Sequence, residues 1–140
     1  MALIADSGAI YGLHDRRDRH HRALRKAIEQ ETGPILISQA ILSEIDCLLR
    51  AKLGTNAEID FLDDIIASIF TLVPFTAIDV IRSRDLVVTY RDLDLGLADA
   101  AVIATAERLG VRRILTVDER DFRAVRGADG KPFRLLPADA

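Results

Sequence analysis

Short runs of aliphatic residues alternate along the chain with longer segments in which apolar side chains recur at helical spacing. An unbroken apolar run is typical of a buried strand, and helical recurrence is typical of an amphipathic helix. The runs predict strands at Ala2–Ala5, Ile35–Ile37, Phe70–Phe75, Ile114–Val117 and Phe133–Leu136. The periodic segments predict helices from Ser7 through Leu13 and at about Arg19–Glu31, Ser38–Leu53, Thr55–Ile66, Thr76–Tyr90 and Leu97–Leu109.

Residues at the element boundaries support these assignments. Ser38 and Thr76 are good N-caps, and the tetrapeptide Thr55–Glu58 has the form of a capping box. Gly33–Pro34 breaks the second helix, and Gly110 follows the last predicted helix. We expect the helix that begins after Thr76 to be interrupted near Ser83.

The alternation of strands and helices defines the fold class. The strands are aliphatic on both faces, which indicates a parallel sheet covered on both sides. The sequence therefore predicts an α/β fold with a short central parallel sheet of four to five strands and helices on both faces. The length of 140 residues, without repeat or linker, predicts a single domain over residues 1–140.

Composition and charge limit the possible environments. The chain has one cysteine, Cys47, no apolar stretch long enough to span a bilayer and no apparent signal peptide, so we expect a cytoplasmic protein with Cys47 as a buried apolar side chain. The net charge is −3, yet basic residues concentrate near the second helix. Arg16, Arg17, Arg19 and Arg22 are candidate RNA contacts, and the alternative interpretation is a solvated helix face.

Two acidic residues fall among apolar helical neighbours. The neighbours of Glu44 at helical spacing include Ala40, Ile41, Cys47 and Leu48, so we expect Glu44 on the packing face of its helix. Asp99 has the equivalent neighbours Leu95, Val102, Ile103 and Ala106. A charge in such a place is costly unless a basic residue, a proton or a metal ion compensates it.

Two further acids, Asp6 and Asp118, each follow a predicted strand directly. The carboxyl ends of parallel strands are where α/β proteins build their sites, so Asp6, Glu44, Asp99 and Asp118 could converge there. Mg²⁺, with its preference for oxygen ligands, would relieve their repulsion and could support phosphodiester hydrolysis. The alternatives are helix or turn capping for Asp6, Asp99 and Asp118, and an arginine partner for Glu44.

The acidic positions lie in segments that resemble the motifs of the PIN domain, and more closely those of VapC-type toxins. The resemblance covers Leu3 to Leu136 and is carried by Leu3–Ala9, Ser38–Ile45, Leu97–Ala106 and Thr116–Phe122. It implies a metal-dependent endoribonuclease, the toxin of a type II toxin–antitoxin system, that leaves 5′-phosphate and 3′-hydroxyl ends. It also implies a homodimer and an antitoxin whose C-terminal segment covers the active-site groove.

Residue roles follow from the same resemblance. Asp6, Asp99 and Asp118 are the expected ligands of Mg²⁺, for which Mn²⁺ would substitute, and Glu44 is a ligand or a general base acting through a metal-bound water. Asp121 would complete a second metal site or cap a turn, with the cap slightly favoured. Ser7 and Thr116 could orient a ligand or a water molecule, or else serve as a cap and a strand residue.

Three other functions fit the pattern less well. A phosphoryl-accepting receiver domain would have an acidic pair after the first strand and a lysine after a late one, and neither is present. A non-catalytic PIN-fold module that binds RNA or protein would be expected to lack one or more of the four acids. A DNA-directed nuclease of the same broad fold would usually be longer.

Overall fold

Five short strands form a parallel sheet at the centre of the molecule, in a computed structural model that describes residues 1–140. They are β1 (Leu3–Ala5), β2 (Ile35–Ser38), β3 (Thr71–Val73), β4 (Arg113–Leu115) and β5 (Arg134–Leu136). Their order across the sheet is β3-β2-β1-β4-β5, and all neighbouring pairs are parallel. The predicted fold class, including the number of strands, is confirmed.

Seven helices connect or flank the strands. They are α1 (Ser7–His14), α2 (His21–Glu29), α3 (Leu42–Leu53), α4 (Thr55–Ile66), α5 (Ala77–Thr89), α6 (Leu97–Leu109) and α7 (Glu119–Ala124). Short 3₁₀ turns at Gln39–Ile41 and Arg91–Leu93 precede α3 and α6. None of the helices combines the length and apolar character that crossing a bilayer requires.

The strand order shows that the chain reverses its direction of winding along the sheet once. From β1 the chain winds through β2 to β3 on one side, and it then returns past β1 to place β4 and β5 on the other. Right-handed crossovers in opposite directions leave a crevice at the carboxyl ends of the two strands where winding reverses. That crevice lies between β1 and β4.

The core forms because the strands and the middle of α6 are rich in buried aliphatic side chains. Residues 100–106 of α6 are all buried, and the helix contacts β1, β2 and α5. Gly110 ends α6 in the left-handed conformation, at φ 68°, which a glycine adopts without the steric cost a side chain would add. The predicted bounds Leu97–Leu109 agree with the structure because both ends of this helix carry clear signals.

Several predicted details of the helices are wrong. The Thr55–Glu58 capping box does not form, since Gly54 occupies the N-cap position and Thr55 is already helical. A capping box forms instead at Thr76–Asp79, and α5 continues through the buried Ser83 without a break. The helix α7 was not predicted at all.

Candidate metal centre

A cavity of about 190 Å³ opens in the crevice between β1 and β4. The four acidic residues predicted from the sequence line it: Asp6, Glu44, Asp99 and Asp118. They come from four separate segments of the chain. Asp6 follows β1 directly, and Asp118 follows the end of β4 by three residues. The remaining lining residues are Ser7, Gly8, Ala98 and Val102, of which only Ser7 was singled out from the sequence. Gly8, Ala98 and Val102 could have been identified because each lies within three residues of Asp6 or Asp99 in the sequence.

Asp6 is the most deeply buried of the four acids, with 6% of its surface exposed. Its Oδ1 accepts a hydrogen bond from the backbone N–H of Ala9 at 2.8 Å, so Asp6 is the N-cap of α1. Its Oδ2 accepts a hydrogen bond from the Thr116 hydroxyl. Burial nevertheless raises the pKa of Asp6 to about 7, because these two hydrogen bonds offset only part of the desolvation cost.

Asp99 lies in the first turn of α6, next to the buried stretch of that helix. Burial raises the pKa of Asp99 to about 6, with a smaller contribution from the negative charges of Asp118, Asp121 and Glu44. The expectation that Asp99 is an acid among apolar residues is correct. Its position near a helix N-terminus favours a negative charge, but less than burial opposes it.

Asp118 and Asp121 complete the acidic side of the cavity. One carboxylate oxygen from each of Asp99, Asp118 and Asp121 lies within 4.8 Å of the others. The Thr116 hydroxyl accepts a hydrogen bond from the Asp118 backbone N–H at 3.0 Å and so fixes the turn after β4. Asp121 sits in the first turn of α7, which the fully buried Phe122 anchors to the core. Asp121 therefore belongs to the acidic cluster, whatever it contributes to capping.

Glu44 lies at the exposed rim of the cavity, and the prediction that it occupies the packing face of its helix is wrong. The buried face of α3 carries Ile45 and Leu49, in line with Ile41 of the preceding turn. Burying these larger side chains removes more apolar surface from water than burying Ala40 and Cys47 would. The same choice of face leaves Cys47 exposed, which corrects its expected burial.

The lining of the cavity contains four carboxylates and no lysine or arginine. Clustered like charges raise one another's pKa values and disfavour full ionisation unless a cation is present. An all-oxygen donor set fits a hard divalent ion such as Mg²⁺ or Mn²⁺ better than it fits zinc or copper. The residues present therefore suit the metal that the sequence analysis expected.

The arginine-rich segment does not enter this cavity. Arg16, Arg17, Arg19 and Arg22 are exposed on the loop after α1 and on the first turn of α2. They line or neighbour a separate cavity of about 390 Å³.

The chain matches the family model of the PIN domain over residues 3–128, and it therefore belongs to that family. Ribonuclease VapC26 of Mycobacterium tuberculosis is 29% identical to it over 135 residues, which cover 96% of this chain and 100% of the relative. The solved structure of VapC20 of Mycobacterium tuberculosis, described as a sarcin-ricin loop cleaving toxin, matches with a TM-score of 0.77. Its sequence identity is 16%, over 85% of this chain and 93% of that one. A toxin–antitoxin complex from Klebsiella pneumoniae matches with a TM-score of 0.69 and 22% identity, over 89% and 92% of the two chains.

Proposed function

We propose that this protein is a Mg²⁺- or Mn²⁺-dependent endoribonuclease and the toxin of a type II toxin–antitoxin system. The observation that carries the proposal is the convergence of Asp6, Glu44, Asp99 and Asp118 on one cavity whose lining contains no basic residue. Such a cluster is unfavourable by itself and becomes favourable when it holds a divalent cation. The cavity is also open at Glu44, so a phosphodiester can approach it.

Three of the acids are assigned to metal binding. Asp6, Asp99 and Asp118 would hold the ion, and Asp121 would add a carboxylate next to Asp99 and Asp118. A bound divalent ion would supply polarisation of the phosphoryl group and activation of water at neutral pH. The Thr116 hydroxyl, which donates to Asp6 and accepts from the Asp118 backbone, holds these two acids in position. Ser7 lines the cavity and orients water there.

Glu44 is assigned to proton transfer. Its carboxylate at the rim accepts a proton from the attacking water, whose oxygen bonds to phosphorus. The bond from phosphorus to the 3′ oxygen breaks, and the proton held on Glu44 passes through solvent to that oxygen, which restores the Glu44 carboxylate. The products are a 5′-phosphate and a 3′-hydroxyl end, so atoms and charge balance without any other reactant.

The similar proteins support the biological setting. The relative that is 29% identical along the whole chain is named a ribonuclease, and several matching structures are toxin–antitoxin complexes. We therefore assign to this chain an antitoxin partner that covers the groove, and a cytoplasmic location. The active form is a homodimer in which residues 1–140 of each chain form one domain.

The test is cleavage of total bacterial RNA by the purified protein in Mg²⁺, in Mn²⁺ and in EDTA. Asp99→Asn removes one charge from the cluster at constant size, and Asp92→Asn is the matched control, because Asp92 is exposed in the turn before α6. We expect discrete fragments with 5′-phosphate ends from the wild type and from Asp92→Asn in either metal. EDTA and Asp99→Asn should each abolish them. A folded, antitoxin-free protein that cleaves under no condition would instead support a non-catalytic PIN-fold binding module.

A further inference from the structure

The cavity formed by Arg16, Asp18, Arg19, His21 and Arg22, here called the arginine cavity, is lined by three arginines and one acid. None of its arginines forms an ion pair, whereas Arg82, Arg108 and Arg113 each pair with a carboxylate elsewhere in the fold. Three guanidinium groups without an ion-pair partner, around about 390 Å³, leave a local excess of positive charge. The chain has a net charge of −3, so this charge is local and does not follow from composition.

Asp15 and Asp18 reduce this positive charge but do not cancel it, because the cavity has three arginines and one aspartate. Their carboxylate oxygens also hold the backbone of the loop. Asp15 accepts a hydrogen bond from the Arg17 backbone N–H at 3.0 Å, and Asp18 accepts one from the His20 backbone N–H at 2.8 Å. The His21 ring is held 2.8 Å from the Gly12 carbonyl oxygen of α1. The loop that presents the arginines is therefore ordered before any ligand arrives, which lowers the entropic cost of binding.

The arginine cavity lies at the same edge of the sheet as the acidic cavity. Glu31, just past the end of α2, pairs with Arg113 at the start of β4. At the other end of α2, His20 and Ala23 share a cavity of about 300 Å³ with Thr116 and Glu119, which lie beyond the end of β4. The helix α2 therefore runs antiparallel to the strands, and its first turn is at their carboxyl edge.

The two cavities therefore lie along one edge of the sheet. The Thr116–Glu119 turn carries Asp118 of the acidic cavity, and it shares a cavity with His20, the residue after Arg19 of the arginine cavity. The helix α1, whose eight residues span about 12 Å, separates Asp6 from the loop that bears Arg16. At about 3.4 Å per stacked nucleotide, that distance corresponds to roughly three or four nucleotides.

We propose that the arginine cavity binds backbone phosphates of the substrate RNA, a few nucleotides away from the phosphodiester that is cleaved. The proposal rests on the proposed function, because it assigns a second contact to the same substrate. Guanidinium groups suit phosphate because they donate two parallel hydrogen bonds to its oxygens. The contact positions the strand without reading its sequence, so it affects affinity for all RNAs alike.

The test measures binding separately from cleavage. A fluorescein-labelled single-stranded RNA of twelve nucleotides and mixed sequence is titrated by fluorescence anisotropy, between about 50 and 300 mM KCl, in an Asp99→Asn background. The cavity variant combines R16Q, R19Q and R22Q, and its charge-matched control combines R84Q, R91Q and K131Q at exposed sites elsewhere. All six side chains lie on the surface, and a thermal melt verifies that each variant is folded.

We expect the cavity variant to lose about two phosphate contacts. The slope of log K against log[salt] should then fall by about 1.4, which at 0.15 M corresponds to a roughly tenfold weaker Kd. The control should change the Kd by less than about twofold. A second variant, R16K with R19K and R22K, keeps the charge and should retain most of the salt slope.

Equal weakening in the cavity variant and the control would overturn the proposal, because it would show a general charge effect. A loss of affinity for an acidic peptide, such as a glutamate 12-mer, with RNA affinity unchanged would also overturn it and assign the cavity to a protein partner.

Cleavage assays of the same substitutions with Asp99 intact separate the two proposals. Unimpaired cleavage and binding by the cavity variant would refute the arginine site alone, whereas a wild type that binds RNA through the cavity but never cleaves would refute only the nuclease.

Discussion

Replacing Asp6 with asparagine should stabilise the metal-free protein at alkaline pH, although Asp6 caps a helix. The asparagine side chain keeps an oxygen for the Ala9 backbone N–H and an amide that can donate to the Thr116 hydroxyl. It removes only the charge. Because Asp6 is 6% exposed, solvent relieves little of the cost of that charge.

The magnitude follows from the pKa of Asp6, which burial raises from 3.8 to about 7 in the folded state. Between these values the unfolded chain has lost the proton and the folded protein keeps it. The free energy of unfolding of the wild type is therefore highest below about pH 4, and it declines as the pH rises to about 7. The rise in pKa from 3.8 to about 7 corresponds to about 4 kcal/mol. That pKa already includes the hydrogen bonds from Ala9 and Thr116, which lower it, so the expected gain for Asp6→Asn at pH 8 is about 4 kcal/mol.

The assay is urea denaturation followed by circular dichroism, in EDTA, at pH 5 and at pH 8. We expect the variant to exceed the wild type by about 4 kcal/mol at pH 8 and by less than about 2 kcal/mol at pH 5. The corresponding difference in Tm at pH 8 is roughly 15 °C for a chain of this size. A variant that is less stable than the wild type by the same amount at both pH values would refute the reasoning, since it would show that capping outweighs the buried charge.

Three further outcomes follow from the same geometry. Saturating Mn²⁺, at about 100 times its Kd, should stabilise the wild type by about 2.7 kcal/mol, and Asp118→Asn should reduce that gain in a thermal-shift assay. Thr116→Val deletes the hydroxyl that lowers the pKa of Asp6, so calorimetry should show Mn²⁺ affinity reduced by about 10- to 100-fold. Phe122→Ala should cost about 3–5 kcal/mol in urea denaturation because Phe122 is fully buried, and Phe122→Leu should cost much less.

The sheet and the longest helices were predictable because local signals and tertiary packing agree there. The helix α6 has a long apolar middle section and ends at a glycine, so its bounds could be read directly. The helix α7 has six residues, four of them charged, and shows no helical periodicity of its own. It forms because Phe122 is buried in the core, which no local pattern around it reveals.

The acids of the candidate site were predictable as a set, but not their individual surroundings. Glu44 was expected on the packing face of α3 because its helical neighbours are apolar, yet two of them, Ala40 and Cys47, are smaller than Ile45 and Leu49, which take the buried face. The size of side chains, and not only their polarity, decides which of two apolar stripes packs inward. The loop that carries Arg16 and Arg19 lies at the carboxyl edge because of the direction of α2, and the sequence does not determine that direction.

Asp6 shows why a structural role and a functional role need not exclude each other. It is an N-cap, as the simpler interpretation proposed, and it also lines the acidic cavity. Capping alone does not account for an aspartate at this position, because asparagine caps a helix about as well without carrying a charge. Burial makes that charge costly in the absence of a cation, and Asp99, Asp118 and Glu44 add like charges nearby. The charge is favourable only when a cation occupies the cavity, so the choice of aspartate over asparagine is itself an argument for metal binding.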